Sequence, residues 1–184
     1  MPDIDESQLI DASLQGNSAA FGQLVQIHQN RLFNAMAHFC GNATEAEDVV
    51  QEAFVQAYLK LAKFQQNSQF YTWLYRIAFN TAISRKRRKR VEASVDKSRE
   101  NTGLEPTDDG DAPGDQMIRE EQAAQVHRAL AALTDEHREI LVLREMEGCD
   151  YEQIAETLSI NVGTVRSRLH RARMQLKERL QELG

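Results

Sequence analysis

DYEQIAETLSINVGTVRSRLHRAR, residues 150–173, has the pattern of two short helices joined by a tight turn. Asp150 is well suited to cap the first helix, whose apolar residues recur at helical spacing: Ile154, Ala155 and Leu158. A three-residue turn follows at 159–161, where Ser159 and Asn161 offer capping side chains. The stretch therefore predicts a helix-turn-helix.

The second helix of this motif has two different sides. One side is an apolar stripe at helical spacing: Val162, Val165, Leu169, Ala172 and Leu176. The opposite side carries Gly163, Ser167, His170 and Met174, flanked by Arg166 and Arg171. Small residues permit close approach to the major groove, and arginines reach guanine edges or phosphates. This side predicts a DNA-recognition surface, although paired amphipathic helices are common and His170 could be an ordinary surface histidine.

The charge of the chain is unevenly distributed. Its net charge is −6, which alone argues against nucleic acid as a partner. Residues 76–90, however, contain seven basic and no acidic residues, and residues 162–184 contain six basic and two acidic ones. Because binding to a polyanion depends on local charge density, these two segments matter more than the total.

Residues 45–63 predict a helix with two distinct faces, begun by a capping box of Thr44 and Glu47. One face is a core stripe: Val50, Ala53, Phe54, Ala57, Tyr58 and Leu61. A second stripe mixes carboxylates with aliphatic residues: Asp48, Glu52, Val55 and Leu59, with Gln51 beside it. Two interpretations stay open: a surface for a partner protein, or a solvated face with two stray aliphatic residues.

The next segment, 64–90, reads FQQNSQFYTWLYRIAFNTAISRKRRKR and combines aromatic with basic residues. A polar loop at 64–70 precedes a helix that is expected to turn Trp73 and Leu74 inward and Arg76 and Asn80 to another side. Aromatic rings beside dense positive charge suit single-stranded nucleic acid. The alternative is that the rings form core and the basic run is a solubilising surface.

An acidic segment divides the chain into two parts. Residues 94–116, SVDKSRENTGLEPTDDGDAPGDQ, contain few sizeable apolar residues, so this segment is expected to be a flexible linker. About four helices are expected on each side of it. The predicted fold is all-α, with small helical domains at 1–93 and 117–184.

Several classes of function are not supported by the sequence. No apolar run approaches the roughly 20 residues of a membrane span, and the acidic start does not resemble a signal peptide. Cys40 and Cys149 form no disulfide framework or zinc pattern. No phosphate-binding loop, zinc-protease motif or nucleophile–base pair is present. We therefore expect a cytoplasmic protein that is not an enzyme and uses no cofactor or metal.

Several segments resemble those of extracytoplasmic-function (ECF) sigma factors of bacterial RNA polymerase, most closely the envelope-stress type. They occur in the family's order: Ala20-Phe21, Ala46 through Phe54, Phe70 through Asn80, Leu133 through Glu139, and Tyr151 through Arg173. The resemblance extends from about Leu9 to Leu180, with the linker excepted. It implies that the N-terminal domain is similar to sigma-2 and the C-terminal domain to sigma-4.

The resemblance also implies roles for individual residues. The stripe of Asp48, Gln51, Glu52, Val55 and Leu59 corresponds to the surface that docks on the β′ clamp helices of core RNA polymerase, which also contacts sigma through its β subunit. The loop and the helix after it correspond to the region that melts and reads the −10 element, through Phe64, Asn67, Ser68, Arg76 and Asn80. The helix-turn-helix corresponds to the region that reads the −35 element, through Arg144, Thr164, Arg166, Ser167, His170 and Arg171.

Further expectations come from the family alone. The acidic linker is expected to occupy the RNA-exit channel of the polymerase, and an anti-sigma factor is expected as a partner. The loop at Gln65-Gln66-Asn67-Ser68 lacks the glycine and acid that many relatives have before this serine, so the preferred −10 base stays open.

The resulting prediction is a promoter-specificity subunit that binds core polymerase and promoter DNA. Two alternatives remain. A stand-alone helix-turn-helix regulator would bind duplex DNA without polymerase, but it would leave the second stripe of 45–63 unexplained. A helical adaptor that binds only protein would leave the arginine-flanked recognition side unexplained.

Overall fold

The computed structural model describes residues 5–95 and 113–183, and all regular structure in these ranges is helical. The elements of the N-terminal part are α1 (Glu6–Leu14), α2 (Ser18–Cys40), α3 (Ala43–Lys60), a 3-10 turn (Leu61–Lys63) and α4 (Phe70–Val95). Those of the C-terminal part are α5 (Pro113–Ala131), α6 (Asp135–Leu141), a π-helical turn (Val142–Met146), α7 (Tyr151–Leu158) and α8 (Val162–Leu183). The prediction of two small helical domains is confirmed.

The N-terminal domain is a bundle in which α3 packs against both α2 and α4, while α1 packs along α2. Its core consists of apolar residues from the facing stripes of these helices, including Leu24, Leu32, Met36, Val49, Ala53 and Leu74. Burial of such stripes is the main source of stability for helices of this length. In the C-terminal domain α8 packs against α5, α6 and α7, around Ile140, Ile154 and Leu169.

Helix α3 begins at a different cap from the one expected. The side chain of Asn42, not Thr44, caps the helix by accepting a hydrogen bond from the Glu45 amide at 3.0 Å. The Thr44 prediction was wrong because asparagine is at least as good an N-cap as threonine and lies two residues earlier. The cap predicted at Asp150 is confirmed, and Asp150 forms a full capping box with Gln153. Thr134 caps α6 by accepting a hydrogen bond from the His137 amide.

The helices extend into both edges of the predicted linker. Helix α4 continues through Val95, two residues beyond the boundary expected at 93, and α5 begins at Pro113, ahead of the boundary expected at 117. Proline is favoured at the first position of a helix because it lacks the amide hydrogen that has no partner there. The rest of the predicted linker, 96–112, lies outside the described residues.

The two domains contact each other directly. The carboxylate of Glu147, 5% exposed, lies after the π-helical turn and accepts hydrogen bonds from Arg31 Nε at 2.8 Å and from the Tyr71 hydroxyl at 2.9 Å. The Arg31 guanidinium also lies 4.0 Å from the centroid of the Tyr71 ring. Nearby, His38 of α2 stacks on His127 of α5, with ring centroids 5.5 Å apart. The domain interface is thus built from both ion pairs and aromatic contacts.

Candidate nucleic-acid and partner interfaces

The predicted helix-turn-helix is present as α7, a tight turn and α8. Ser159 ends α7 in the left-handed conformation, with φ of 54°, and its amide bonds back to Glu156. Asn161 Oδ1 accepts from the Thr164 amide at 2.7 Å and from the Thr164 hydroxyl at 3.0 Å. Both of these groups of Thr164 are therefore engaged in starting α8.

The two sides of α8 are oriented as the spacing predicted. Val165, Leu169 and Ala172 are buried in the domain core. The opposite side is exposed and includes four of the predicted −35 residues: Arg166, Ser167, His170 and Arg171. This leaves a ridge of small, polar and cationic side chains facing solvent, which has the character of a major-groove reading surface.

The four arginines of α8 between 166 and 173 do not have equivalent surroundings. Arg168 pairs with Glu136 at 3.4 Å, and Arg173 binds one Glu145 oxygen through Nε at 3.1 Å and Nη2 at 2.7 Å. These two arginines attach α8 to α6 and the π-helical turn. Arg166 and Arg171 form no ion pair with a described residue, so they remain available to a ligand. In the sequence the four arginines form one cluster, because the acidic partners of Arg168 and Arg173 lie on other elements.

Arg144 occupies a supporting position. Its Nη1 donates to the Cys149 carbonyl at 2.7 Å, and its guanidinium lies 5.2 Å from the centroid of the Tyr151 ring. These contacts hold the chain that leads into α7. The structure therefore places Arg144 at the entry of the helix-turn-helix rather than on the exposed ridge of α8.

The loop expected at 64–70 connects the 3-10 turn to α4 and has an aromatic base. Phe64 is buried, with its ring centroid 5.0 Å from that of Trp73 and 5.8 Å from that of Phe70. Above this base, Asn67 is exposed and Ser68 half-buried. The structure thus places Phe64 beneath the loop, where it shapes the loop, rather than on its surface.

Arg76 and Asn80 are exposed on α4, as the helical spacing predicted. Asn80 lies at a polar cleft between α3 and α4 that sequence reasoning did not find. Besides Asn80, the residues that line the cleft are Glu52, Gln56, Lys60, Ile77, Thr81, Ser84 and Arg88. The available signal was the spacing of four residues from Glu52 to Gln56 to Lys60, which places these side chains on one side of α3.

The residues of the second stripe of α3 do not all face the same way. Val55 and Leu59 are 60% and 75% exposed, so this side lacks a partner within the described residues. Asp48 and Glu52 turn instead toward α4, where both pair with Arg85. Two exposed aliphatic side chains next to a pair of carboxylates form a surface suited to a partner with basic and apolar groups.

One residue of the predicted core stripe of α3 does not belong to the core. Tyr58 is 44% exposed, although its ring packs edge-on against Phe21 with centroids 5.0 Å apart. The prediction was wrong here because a tyrosine can bury one side of its ring while its hydroxyl end stays in water. The other members of this stripe are buried.

The basic run 85–90 is divided among several directions. Arg85 faces the acids of α3, Lys89 pairs with Glu45 at 3.1 Å, and Lys86 pairs with Asp135 of the other domain. Arg87, Arg88 and Arg90 are exposed. The helical turn therefore separates a run that looks uniform in the sequence into structural and solvent-facing cations.

The chemistry of the described residues does not indicate a reactive centre. Burial raises the pKa of the Cys40 thiol to about 12 and that of the Glu139 carboxyl to about 9, so both are protonated at neutral pH. Within 5–95 and 113–183, no cluster of three or more histidine, cysteine or acidic residues could hold a metal ion. In the same ranges, no helix is both long and apolar enough to cross a membrane.

Family models match both parts of this arrangement. Residues 24–92 match the model described as Sigma-70 region 2, and residues 123–176 match that described as Sigma-70, region 4. The first match covers most of α2, all of α3, the loop at 64–70 and most of α4. The second covers the helix-turn-helix.

Similar proteins of known name span nearly the whole chain. The RNA polymerase sigma-H factor of Pseudomonas aeruginosa is 39% identical over 97% of this chain and 95% of its own. The ECF RNA polymerase sigma factor SigW of Bacillus subtilis is 35% identical over 92% of this chain and 93% of its own. The ECF RNA polymerase sigma-E factor of Escherichia coli K12 is 35% identical over 98% of this chain and 96% of its own.

Two solved structures have a similar fold. The sigma factor RpoE in complex with the anti-sigma factor NepR, from Bartonella quintana, has a TM-score of 0.69 at 26% identity, over 88% of this chain and 96% of that one. CnrH in complex with the cytosolic domain of CnrY has a TM-score of 0.71 at 29% identity, over 97% of this chain and 99% of that one.

Proposed function

Since this chain belongs to the extracytoplasmic-function sigma factors of bacterial RNA polymerase, which direct transcription initiation at specific promoters, we propose how its residues divide that work. The exposed stripe of α3 docks on the β′ clamp helices of core polymerase. The loop at 64–70 and the exposed side of α4 bind the melted −10 strand. The exposed ridge of α8 reads the −35 element.

The observation that carries this assignment is the separation of the arginines of α8. Arg168 and Arg173 are held by acids of their own domain, whereas Arg166 and Arg171 project from the ridge opposite the buried stripe. A helix supported in this way can approach DNA with two unpaired cations in a fixed register. Because an arginine can bind guanine through two hydrogen bonds, this arrangement suits a sequence-reading contact.

The −10 assignment has a second physical support. The loop rests on a buried aromatic base, while Asn67 above it and Asn80 on α4 are exposed. A rigid base below polar side chains favours binding of bases that have left the stack, because the protein does not have to order itself on binding. In this arrangement Phe64 supports the loop, and Asn67, Ser68, Arg76 and Asn80 contact the strand.

The relatives suggest the setting in which the chain acts. The similar sigma factor RpoE is known in a complex with the anti-sigma factor NepR, and the similar protein CnrH in a complex with the cytosolic domain of CnrY. We propose that an anti-sigma factor likewise holds this chain, that it acts in the cytoplasm, and that it catalyses no covalent step itself.

The test is run-off transcription with core polymerase of the source organism on genomic promoter fragments, with and without the chain. We expect specific transcripts only when the chain is present, and their start sites then define the −10 and −35 sequences. The Asp48→Arg variant should weaken binding to core polymerase while the chain retains affinity for −35 duplex DNA. Unchanged affinity of this variant for core would remove α3 from the interface.

Tight binding of the chain to duplex DNA without any transcript would contradict the proposed role in transcription initiation. It would favour the stand-alone regulator, which needs only the helix-turn-helix.

A further inference from the structure

Arg85 stands apart from the rest of the basic run because one guanidinium binds two carboxylates of α3. Its Nη2 lies 2.5 Å from Asp48 Oδ2, and its Nη1 lies 3.3 Å from Glu52 Oε2. Both acids belong to the stripe that is proposed to dock on core polymerase. In the free chain, therefore, the carboxylates offered to the polymerase already have a counter-ion.

The same acids are connected to the −10 side of α4. Glu52 Oε1 accepts from Gln56 Nε2 at 3.1 Å, and this amide lies 3.4 Å from the Thr81 hydroxyl. Gln56 and Thr81 line the polar cleft at which Asn80 lies. Residues 81, 85 and 88 follow one another on one side of α4. Glu52 itself lines the cleft, so its ion pair brings the Arg85 guanidinium next to the cleft.

The contacts of Arg85 are of a kind that can be exchanged. The exposed fractions of its side chain and of those of Asp48 and Glu52 are 27%, 52% and 33%, so a partner can reach all three. Ion pairs of this exposure typically contribute little to stability. In addition, Arg85 Nε is buried without a hydrogen-bond partner, which makes the present position of the guanidinium less than optimal.

We propose that Arg85 is an exchangeable cation that couples polymerase docking to binding of the −10 strand. Basic groups of the polymerase replace Arg85 on Asp48 and Glu52, and the released guanidinium turns to a phosphate of the melted strand at the cleft between α3 and α4. Arg85 is thus a positioning residue for the docking of Asp48 and Glu52 on the polymerase, and it is itself a ligand of the phosphate of the melted strand. This inference rests on the proposed docking role of α3.

The experiment measures how salt affects binding of a single-stranded oligonucleotide. A labelled strand with the −10 sequence found by run-off transcription is titrated with the free chain and with the complete holoenzyme over a range of salt concentrations. The test variant is Arg85→Met, which keeps a long apolar stem but removes the charge. The matched control is Arg88→Met, since Arg88 lines the same cleft but pairs with no described residue.

In the holoenzyme, Arg85→Met should reduce the slope of log K against log salt by about 0.7, the loss of one phosphate contact on a single strand. In the free chain it should leave the slope unchanged, because Arg85 is there held by the acids. Arg88→Met should reduce the slope in both forms. Affinity of Arg85→Met for core polymerase, measured without DNA, should equal that of the wild type or exceed it by a few-fold.

Three results would overturn the inference. A slope that Arg85→Met leaves unchanged in the holoenzyme would exclude the contact with the strand. An equal loss in both forms would make Arg85 a permanent phosphate ligand. Weaker core binding by Arg85→Met would make it a fixed brace of the two acids.

Two further variants keep these outcomes interpretable. Arg85→Lys retains the charge and should restore the slope in the holoenzyme, so a loss in both variants would count against the proposal. The docking role of α3 is tested separately by the affinity of Asp48→Arg for core polymerase in the absence of DNA. An unchanged affinity would contradict that docking role.

Discussion

Arg138 shows how a single side chain can join the two domains. It is 5% exposed and donates to four backbone carbonyls: those of Phe39, Leu130, Ala131 and Leu133. Phe39 belongs to the N-terminal domain and the other three residues lie at the end of α5 and just after it. None of these four bonds is to a carboxylate, and carbonyl dipoles compensate the cation because its planar fork offers five donors. The guanidinium also lies 5.4 Å from the centroid of the Phe39 ring.

Replacing Arg138 should therefore destabilise the chain strongly. We expect Arg138→Met to lower the free energy of unfolding by about 2–4 kcal/mol, because it leaves several buried carbonyls without donors. Arg138→Lys should recover part of this loss, since an ammonium cannot reach all four acceptors. Urea unfolding followed by circular dichroism measures both; a change below about 0.5 kcal/mol for Arg138→Met would contradict the role of these bonds.

Arg171 provides the matching prediction for DNA recognition. Arg171→Ala should cost about 1–3 kcal/mol of binding at one base pair of the −35 element, if the side chain reads a guanine. The control is Arg173→Ala, which removes a cation bound to Glu145 and should leave base preference unchanged. Binding to a set of single-base −35 variants measures this, and an equal loss on every sequence would identify Arg171 as a phosphate contact.

At the scale of elements, α7 is the short helix on which the orientation of α8 depends. It has eight residues, and isolated helices of this length are marginal in water. Its capping box satisfies two backbone amides, with Asp150 accepting from the Gln153 amide at 2.7 Å and Gln153 accepting from the Asp150 amide at 2.8 Å. The cap and the buried Ile154 side chain together hold the helix in place.

Loss of this cap should be measurable. Asp150→Ala is expected to lower stability by about 1 kcal/mol, because the Gln153 amide loses its acceptor. Asp150→Asn is the control, since an asparagine cap is about as effective. Thermal unfolding compares the two variants with the wild type; equal melting temperatures for all three would show that the cap contributes nothing.

Helix order, helix faces and most caps could be predicted from the sequence because they depend on neighbours within a few residues. Val165, Leu169 and Ala172 are buried as their spacing indicated, and Arg166 and Arg171 are exposed. The start of α3 was missed where Asn42 and Thr44 competed as caps. The different surroundings of Arg168 and Arg173 could not be predicted, since Glu136 and Glu145 approach them only in the folded domain.

At the scale of the whole molecule, the direct contact between the domains has a geometric consequence. Helix α7 packs on α4, so the helix-turn-helix proposed to read the −35 element lies against the helix proposed to bind the −10 strand. As their names state, the −35 and −10 elements lie about 25 base pairs apart, which is on the order of 80 Å along B-DNA. If each domain binds the element proposed for it, we expect the two domains to separate before both elements are bound at once.

This separation can be followed by energy transfer between two dyes. We expect dyes at Asn30→Cys and Lys177→Cys, in a chain with Cys40 and Cys149 changed to serine, to move apart when promoter DNA binds the holoenzyme. In the free chain, Glu147→Gln should already increase their distance, because it weakens the bond to Arg31. Equal transfer in the free chain and in the promoter complex would contradict a closed free state.

The histidine pair of the interface makes closure sensitive to pH. Burial lowers the pKa of His38, an effect that the charge of His127 adds to and Glu147 partly offsets, and burial likewise lowers the pKa of His127. Because the closed state favours the neutral rings, its stability is complete above the ordinary histidine pKa of about 6.5 and declines as the pH falls below it.

The dyes described above should therefore move apart in the free chain as the pH is lowered from about 7.5 to about 5.5. His127→Gln removes one of the two titrating rings and should make this change smaller. A distance that is independent of pH in the wild type would exclude the histidine pair as a determinant of closure.

The sequence by itself determined that the chain forms two helical domains with a helix-turn-helix, because periodicity and capping act within single helices. Only the tertiary structure decided which charges meet. Arg85 and Asp48 are 37 residues apart, and Arg31 and Glu147 are 116 apart. Whether such a pair forms depends on how the helices pack, and burial of apolar stripes sets that packing for reasons unrelated to the charges themselves.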